Sequence, residues 1–375
     1  MKKLLTTNQI CCLIMLVTIS NKLLVLPALM YQNVGVDAIW VVVLKLILAL
    51  VVFWVFALIA TKFPNKTLED ILVPYIGKFF YGLLLLLFGV FYFLKTALTL
   101  VEGEMFLRET IYVDLTSELY AIPTFVVAGY FIYKGINTIG RTNETLIKII
   151  LWGVFLTILL TLPNLQLETL LPMFTSSADD FTRAFSYISM WFGNYFVIFL
   201  FLGKIQMREH FISQVIKSYV KSAILVIIFF AVYYAVFGTS SPMHNYAISD
   251  VVTLTPQLSS LIKIDWFTVI FYSFALIMQV ILQLYMVFYC LKWILKIQHT
   301  KLTVSIFIGL LALMYLIMPY SVQHIITFCS ETIGFYCFLL NLIFPILITI
   351  IYLVKRKLEK NREGEKVYGG TLEKE

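Results

Sequence analysis

Three lysines, Lys22, Lys45 and Lys95, stand inside long apolar runs where an ammonium has no water to hold it. Each lies roughly 14–16 Å from the outer end of its run at 1.5 Å per residue, close to the midplane if those runs cross a bilayer. A lysine at that depth costs on the order of 2.5–3.5 kcal/mol and marks a functional position by default. No Asp or Glu shares the depth, since Glu102 and Glu104 fall near the outer edge of their run. The lysines must therefore lose their charge or meet an anionic group brought from outside. The carboxylate of an amino acid would serve, so the chemistry expected here is reversible binding. Lys45 sits among Val41, Val42, Leu48 and Ala49 and reads as a packing residue. Lys95 shares a helical stripe with Tyr92, Thr99 and Glu102, a polar face suited to a cavity wall. Lys22 directly follows a polar interruption, Thr18-Ile19-Ser20-Asn21. Gln279 and Gln283, one turn apart, read as interhelical hydrogen bonders within reach of the same cavity.

Bond-making chemistry finds no foothold. Cys11, Cys12, Cys290, Cys329 and Cys337 are scattered without a CxxC pair, and the four histidines are far apart. Neither pattern supports a disulfide scaffold or a zinc site. There is no Walker loop, no GxGxxG after a strand and no GxSxG elbow. Basic residues are not interleaved with aromatics as nucleic-acid binding requires. The expectation is a protein that is not an enzyme, with no cofactor, no metal and no nucleic-acid partner.

The elements that position the lysines follow from composition. The 375 residues are 61% hydrophobic and 13% charged, against roughly 25% charged in a soluble domain. That excludes an ordinary water-exposed surface and predicts an all-α integral membrane protein. A helix needs about 20 apolar residues to cross a bilayer. Ten segments qualify: Asn8–Tyr31, Val36–Ala60, Phe79–Gly103, Leu119–Tyr133, Ile147–Leu162, Ala184–Gly203, Ala223–Phe237, Trp266–Leu295, Thr303–Met318 and Ile333–Val354. Lys2-Lys3 before an apolar run resembles a secretory signal. The apolar character resumes after Lys22 as Leu23–Met30, which a cleaved signal would not need, so the whole segment is taken as span one.

With ten spans and a cytoplasmic N-terminus, nearly all Lys and Arg fall on the inner side, leaving Arg108, Arg183 and Lys263 outside. The positive-inside rule then places both termini in the cytoplasm. Met207–Lys221 is amphipathic and is expected to lie along the inner membrane surface. Pro163–Phe181 and Gly238–Asp265 are long outer connections, the second with a helix-like stretch, Gln257–Ile264, that could cap an outer entrance. Residues 1–354 form one membrane domain, and 355–375 a charged cytoplasmic tail expected to be disordered.

Ten spans divide into five plus five, repeat one about 8–162 and repeat two about 184–354. Many secondary transporters consist of two such inverted halves, with the site where the first helix of each is broken. Span one breaks at Ile19, Ser20, Asn21 and Lys22, and span six at Phe192, Gly193 and Asn194. Unwound backbone at that depth requires protein or a wet cavity to satisfy it, although Ser, Asn and Gly also glue unbroken spans together. Tyr92, Lys95 and Thr99 of span three would wall the cavity, and a half-helix start would offer free N–H groups to a carboxylate.

These residues carry a family likeness. Pro27, Gly35-Val36-Asp37-Ala38-Ile39-Trp40, Lys62-Phe63-Pro64-Asn65-Lys66-Thr67-Leu68, Ile76-Gly77-Lys78, the Gly135…Gly140-Arg141…Glu144 loop and Trp191-Phe192-Gly193 occur in order. In this the chain resembles the spore germination permeases, the B subunits of bacterial nutrient germinant receptors, within the amino acid–polyamine–organocation superfamily. The resemblance implies a LeuT-like fold, a small nutrient germinant such as an amino acid, A and C subunits as partners, and the spore inner membrane as location. Two positions depart from the family pattern: Ser20-Asn21-Lys22 stands where glycine is usual, and Asn194 where an acidic residue is common. A secondary amino acid or cation permease of the same fold is the alternative function, and a scaffold with a vestigial pocket a third.

Overall fold

The computed structural model describes residues 4–112, 114–253, 264–317, 322–341, 343–350 and 353. The tail 355–375 and all but the last position of the expected cap Gln257–Ile264 lie outside them. The described chain is almost entirely helical. Five helices are long and apolar enough to cross a bilayer: Leu26–Lys62, Leu68–Thr110, Ile136–Asn164, Phe211–Met243 and Thr268–Ile294. Two pairs bent by 50°, Ala178–Tyr187 with Ser189–Phe201 and His324–Thr332 with Gly334–Ile350, raise the number to seven if each is one span. The apolar helix Lys301–Ile317 is shorter. The expected spans Ile147–Leu162 and Ala223–Phe237 belong to helices that run well beyond them, and the number ten is not reached by length alone among the described residues.

Local sequence accounts for the helix ends that matter. Thr6 caps Thr7–Ile19, its side chain accepting from Gln9 N while the Gln9 side chain accepts from Thr6 N. Thr67 and Asp70 form the same reciprocal cap at the start of Leu68–Thr110, the arrangement that satisfies two orphan donors at once. That helix is kinked at Gly77, whose φ of 76° and ψ of 165° suit only glycine. The motif around Asp37 fastens the connection that precedes Ala178–Tyr187: its carboxylate accepts from the N–H groups of Phe174, Thr175 and Ser176 at 2.5–2.8 Å. Trp40 stacks on Phe174 beside it.

Thr7–Ile19 packs between Phe211–Phe237 and Ile136–Thr161, and Leu68–Thr110 lies along Ile264–Ile294. Outward faces such as Phe79, Phe80, Leu83 and Leu87 are exposed, as a lipid-facing surface requires in a chain of this composition. All five cysteines are buried and free. A two-residue parallel pair joins the ends that precede span one and follow span six, Leu5 opposite Ile205 and Thr6 opposite Gln206.

Met207–Lys221 does not form a separate surface helix. From Phe211 it is the beginning of Phe211–Phe237, with Phe211, Val215 and Tyr219 buried. Tyr219 donates to Leu46 O at 2.5 Å and packs on Phe53. The apolar stripe that suggested a membrane surface faces another helix.

Candidate functional site

Both expected breaks are present. Thr7–Ile19 gives way to a tight turn, Ser20–Lys22, before the helix resumes at Leu26–Val34. Ser189–Phe192 passes into a 3-10 segment, Gly193–Phe201. An unwound turn frees backbone groups that must find partners when buried, and those partners define the site.

At the first break, Ser20 donates to Gln279 Oε1 at 2.9 Å, while Tyr272 donates to Ser20 O at 2.8 Å. Asn21 Nδ2 reaches Thr99 Oγ1 and Glu102 Oε2, each at 2.9 Å. Lys22 Nζ folds back on Val17 O at 3.1 Å and lies 5.0 Å from the centre of the Phe192 ring. The carbonyls of Leu23 and Leu24 accept from Ile248 N and Ala247 N, at the start of the helix Ala247–Thr253. That helix covers the break.

At the second break, Tyr92 OH points to Gly193 O and Asn194 O at 3.1 and 3.3 Å. Lys95 Nζ donates to Met190 O. Lys45 Nζ donates to Ser189 Oγ at 2.8 Å and lies 4.0 Å from the Phe185 ring centre. Asn341 Nδ2 donates to Ser189 O. The breaks meet at Val17 O, which accepts from Lys22 and, at 3.5 Å, from Asn194 Nδ2. A Cβ on Gly193 would come within 2.3 Å of Phe91 Cζ, so glycine is needed for that ring to pack there.

The structure thus brings Ser20, Asn21, Lys22, Tyr92, Lys95, Thr99, Phe192, Gly193 and Asn194 together, with Ile19 buried at the end of the first half-helix. It also corrects the placement of Glu102. This carboxylate is not at the edge of span three: the helix runs two turns past it to Thr110. Glu102 is buried, accepts from Asn21 and takes Trp191 Nε1 at 2.7 Å. Trp191, Ser189, Tyr272 and Asn341 were not singled out from the sequence as site residues, and Lys45, read as packing, reaches the second break. The signal for Glu102 was its place on the Tyr92–Lys95–Thr99 stripe, which lies on one helical face.

Four buried amide oxygens in this cluster, on Asn21, Asn194, Gln283 and Asn341, have no hydrogen-bond donor among the described residues. Gln283 Nε2 donates to the same Thr99 Oγ1 as Asn21, so two orphan acceptors flank one hydroxyl. Buried acceptors are rarely left unpaired. The arrangement offers the amino groups of Lys22 and Lys95 on one side, and Glu102 with unsatisfied acceptors on the other.

Residues 4–325 match the family model of spore germination proteins of the spore permease type. The chain belongs to this family. The family is one of membrane permease-like proteins, in keeping with the multi-pass helices described above. None of the curated protein sequences compared matches the chain. Among solved structures, the spore permease chain is similar to Mhp1, a nucleobase-cation-symport-1 family transporter in a closed conformation with bromovinylhydantoin bound. Identity is 13%, the TM-score is 0.52, and the match covers 91% of this chain and 78% of Mhp1. At that identity the likeness shows the fold: an all-α, LeuT-like membrane architecture with its first and sixth spans interrupted.

Proposed function

We infer that the protein is the membrane subunit of a spore germinant receptor, which binds a small zwitterionic nutrient such as an amino acid between the two breaks and so helps to trigger germination. One observation carries this reading: buried ammonium groups and a buried carboxylate face the same pair of helix breaks, with unpaired acceptors between them. The ligand's carboxylate would draw Lys22 and Lys95 away from Val17 O and Met190 O. Its ammonium would be held by Glu102 and by the orphan oxygens of Asn21 and Gln283. Charge-assisted bonds of this kind are roughly twice as strong as neutral ones, and each gains in a dry interior. Phe192 would pack the ligand's apolar part. Family membership supports A and C subunits as partners and the spore inner membrane as location. The bias of Lys and Arg supports two cytoplasmic termini.

The test is deletion of the gene followed by a screen of spores against single nutrients, with restoration by the wild-type chain and by Glu102→Gln. Loss of response to one amino acid, restored by wild type and not by Glu102→Gln at normal protein level, is the expected result. Full restoration by Glu102→Gln would remove the carboxylate from recognition. The fold shared with a transporter favours a second reading, a permease. Net uptake of labelled amino acid by the protein alone, without companion subunits, would establish that reading instead.

A further inference from the structure

The Ile76-Gly77-Lys78 motif plays no part in the midplane cluster. At the end of the bundle that holds most of the Lys and Arg, the kink at Gly77 turns the short segment carrying Glu69 away from the rest of its helix. A cavity of about 650 Å³ opens there against the end of Ile264–Ile294. Four lysines line it, Lys78, Lys204, Lys292 and Lys296, against the single carboxylate of Glu69. Lysines at the inner ends of spans ordinarily extend separately into water, and a helix C-terminus attracts them on its own account. Here they come from three separate parts of the chain and converge on one concavity, with Lys78, Lys292 and Lys296 exposed at its mouth, so that positive charge gathers where an anion can enter.

The floor of the cavity is aromatic and fixed. Trp293 packs edge-on against Tyr81, 4.9 Å between ring centres, in space left by Gly82, where a Cβ would lie 3.2 Å from its ring. Lys204 Nζ lies 5.1 Å from the centre of the Tyr289 ring. Lys296 occupies the left-handed position just past the helix end, φ 52°, where Ile297 N returns to Lys292 O at 3.2 Å. Glycine is the usual residue there; here a lysine takes the position and lines the cavity. Immediately after Lys78, exposed Phe79, Phe80, Leu83, Leu86, Leu87 and Val90 form an apolar stripe at helical spacing. An amphiphile with its charged end among the lysines could lay its chains along that stripe.

The geometry points to a binding site for a phosphate-bearing anion in this cavity, the headgroup of an acidic phospholipid. Basic pockets between spans recognise such headgroups by this chemistry. The full-length protein in detergent micelles is to be photolabelled with diazirine-bearing phosphatidylglycerol or phosphatidylcholine, and the labelled peptides mapped by mass spectrometry. Phosphatidylglycerol should label the peptides around Phe79–Leu87 and Tyr285–Ile297, and phosphatidylcholine should not. In K292Q/K296Q the labelling should fall about thirty-fold, the loss of two ammonium contributions near the surface, whereas K292R/K296R should keep it. Micelles of unchanged size and helix content show that the glutamine variant is folded, and Lys78→Gln provides a single-site check with a smaller fall. Displacement of the label by inorganic phosphate would assign the same site to a free phosphate. Equal labelling by both lipids, or labelling that survives both glutamine variants, would overturn the proposal.

Discussion

The two helix breaks solve one problem by different means. At the first, the backbone carbonyls are tied mostly by neutral partners, Tyr272 to Ser20 O and the backbone of Ala247–Ile248 to the carbonyls of Leu23 and Leu24, while Lys22 folds back on Val17 O and Asn21 reaches Glu102. At the second, the ends of long side chains do much of the work, Lys95 on Met190 O, Lys45 on Ser189 and Tyr92 on Gly193 O. Short neutral ties hold one geometry, whereas a lysine on a flexible stem can exchange a carbonyl for a better acceptor. The first break is therefore the more firmly tied, with Lys22 as its movable arm, and the second depends more heavily on side chains that can turn to a carboxylate.

Substitutions can break that contrast, and the largest effect is expected from Gly193→Leu. The new side chain must displace Phe91, an overpacking worth roughly 1–3 kcal/mol, and it occupies the meeting point of the breaks. Spores carrying it should give no nutrient response while the protein stays in the membrane, measured by immunoblot beside a germination curve. Next comes Lys95→Met, which leaves Met190 O without its ammonium donor and costs about 1–3 kcal/mol. Purified protein should melt at a lower temperature, and spores should respond weakly at any concentration. Lys22→Met is milder, because Asn194 Nδ2 still reaches Val17 O. Its melting temperature should hold while the nutrient concentration needed rises about ten-fold, the loss of one charge-assisted bond. Lys45→Met should do least. Its thioether can rest against Phe185 and Phe338, a favourable contact for sulfur, so dose-response curves should shift no more than about three-fold. A shift from Lys45→Met as large as that from Lys95→Met would make the second break uniformly dependent on charge.

Both breaks were legible because Ser20-Asn21-Lys22 and Gly193-Asn194 interrupt apolar runs, and nothing in a bilayer tolerates that without a reason. Glu102 was misplaced because an apolar run stops where polar residues begin, whereas its helix continues to Thr110. Its partners also lie far along the chain, Asn21 81 residues back and Trp191 89 ahead. Pattern alone cannot register pairs of that separation. The same limit applied to Met207–Lys221, where an amphipathic stripe shows that one face is apolar but not whether lipid or Phe53 covers it. The aliphatic neighbours of Lys45 hid its reach to Ser189, because that partner lies 144 residues away in the chain.

The parallel pair at Leu5–Thr6 and Ile205–Gln206 bears on how readily the two segments it joins could part. Leu5 N donates to Lys204 O, and the Thr7 hydroxyl bonds both Gln206 O and Arg208 N. This hasp joins the first half-helix to the chain just beyond the sixth span, so the two cannot part on that side until it is undone. At about 0.5–1.5 kcal/mol net for each bond, three such ties make spontaneous parting rarer by a factor on the order of ten to a few thousand. A fastening of this size is firm against thermal noise and still within reach of the binding energy of one small ligand.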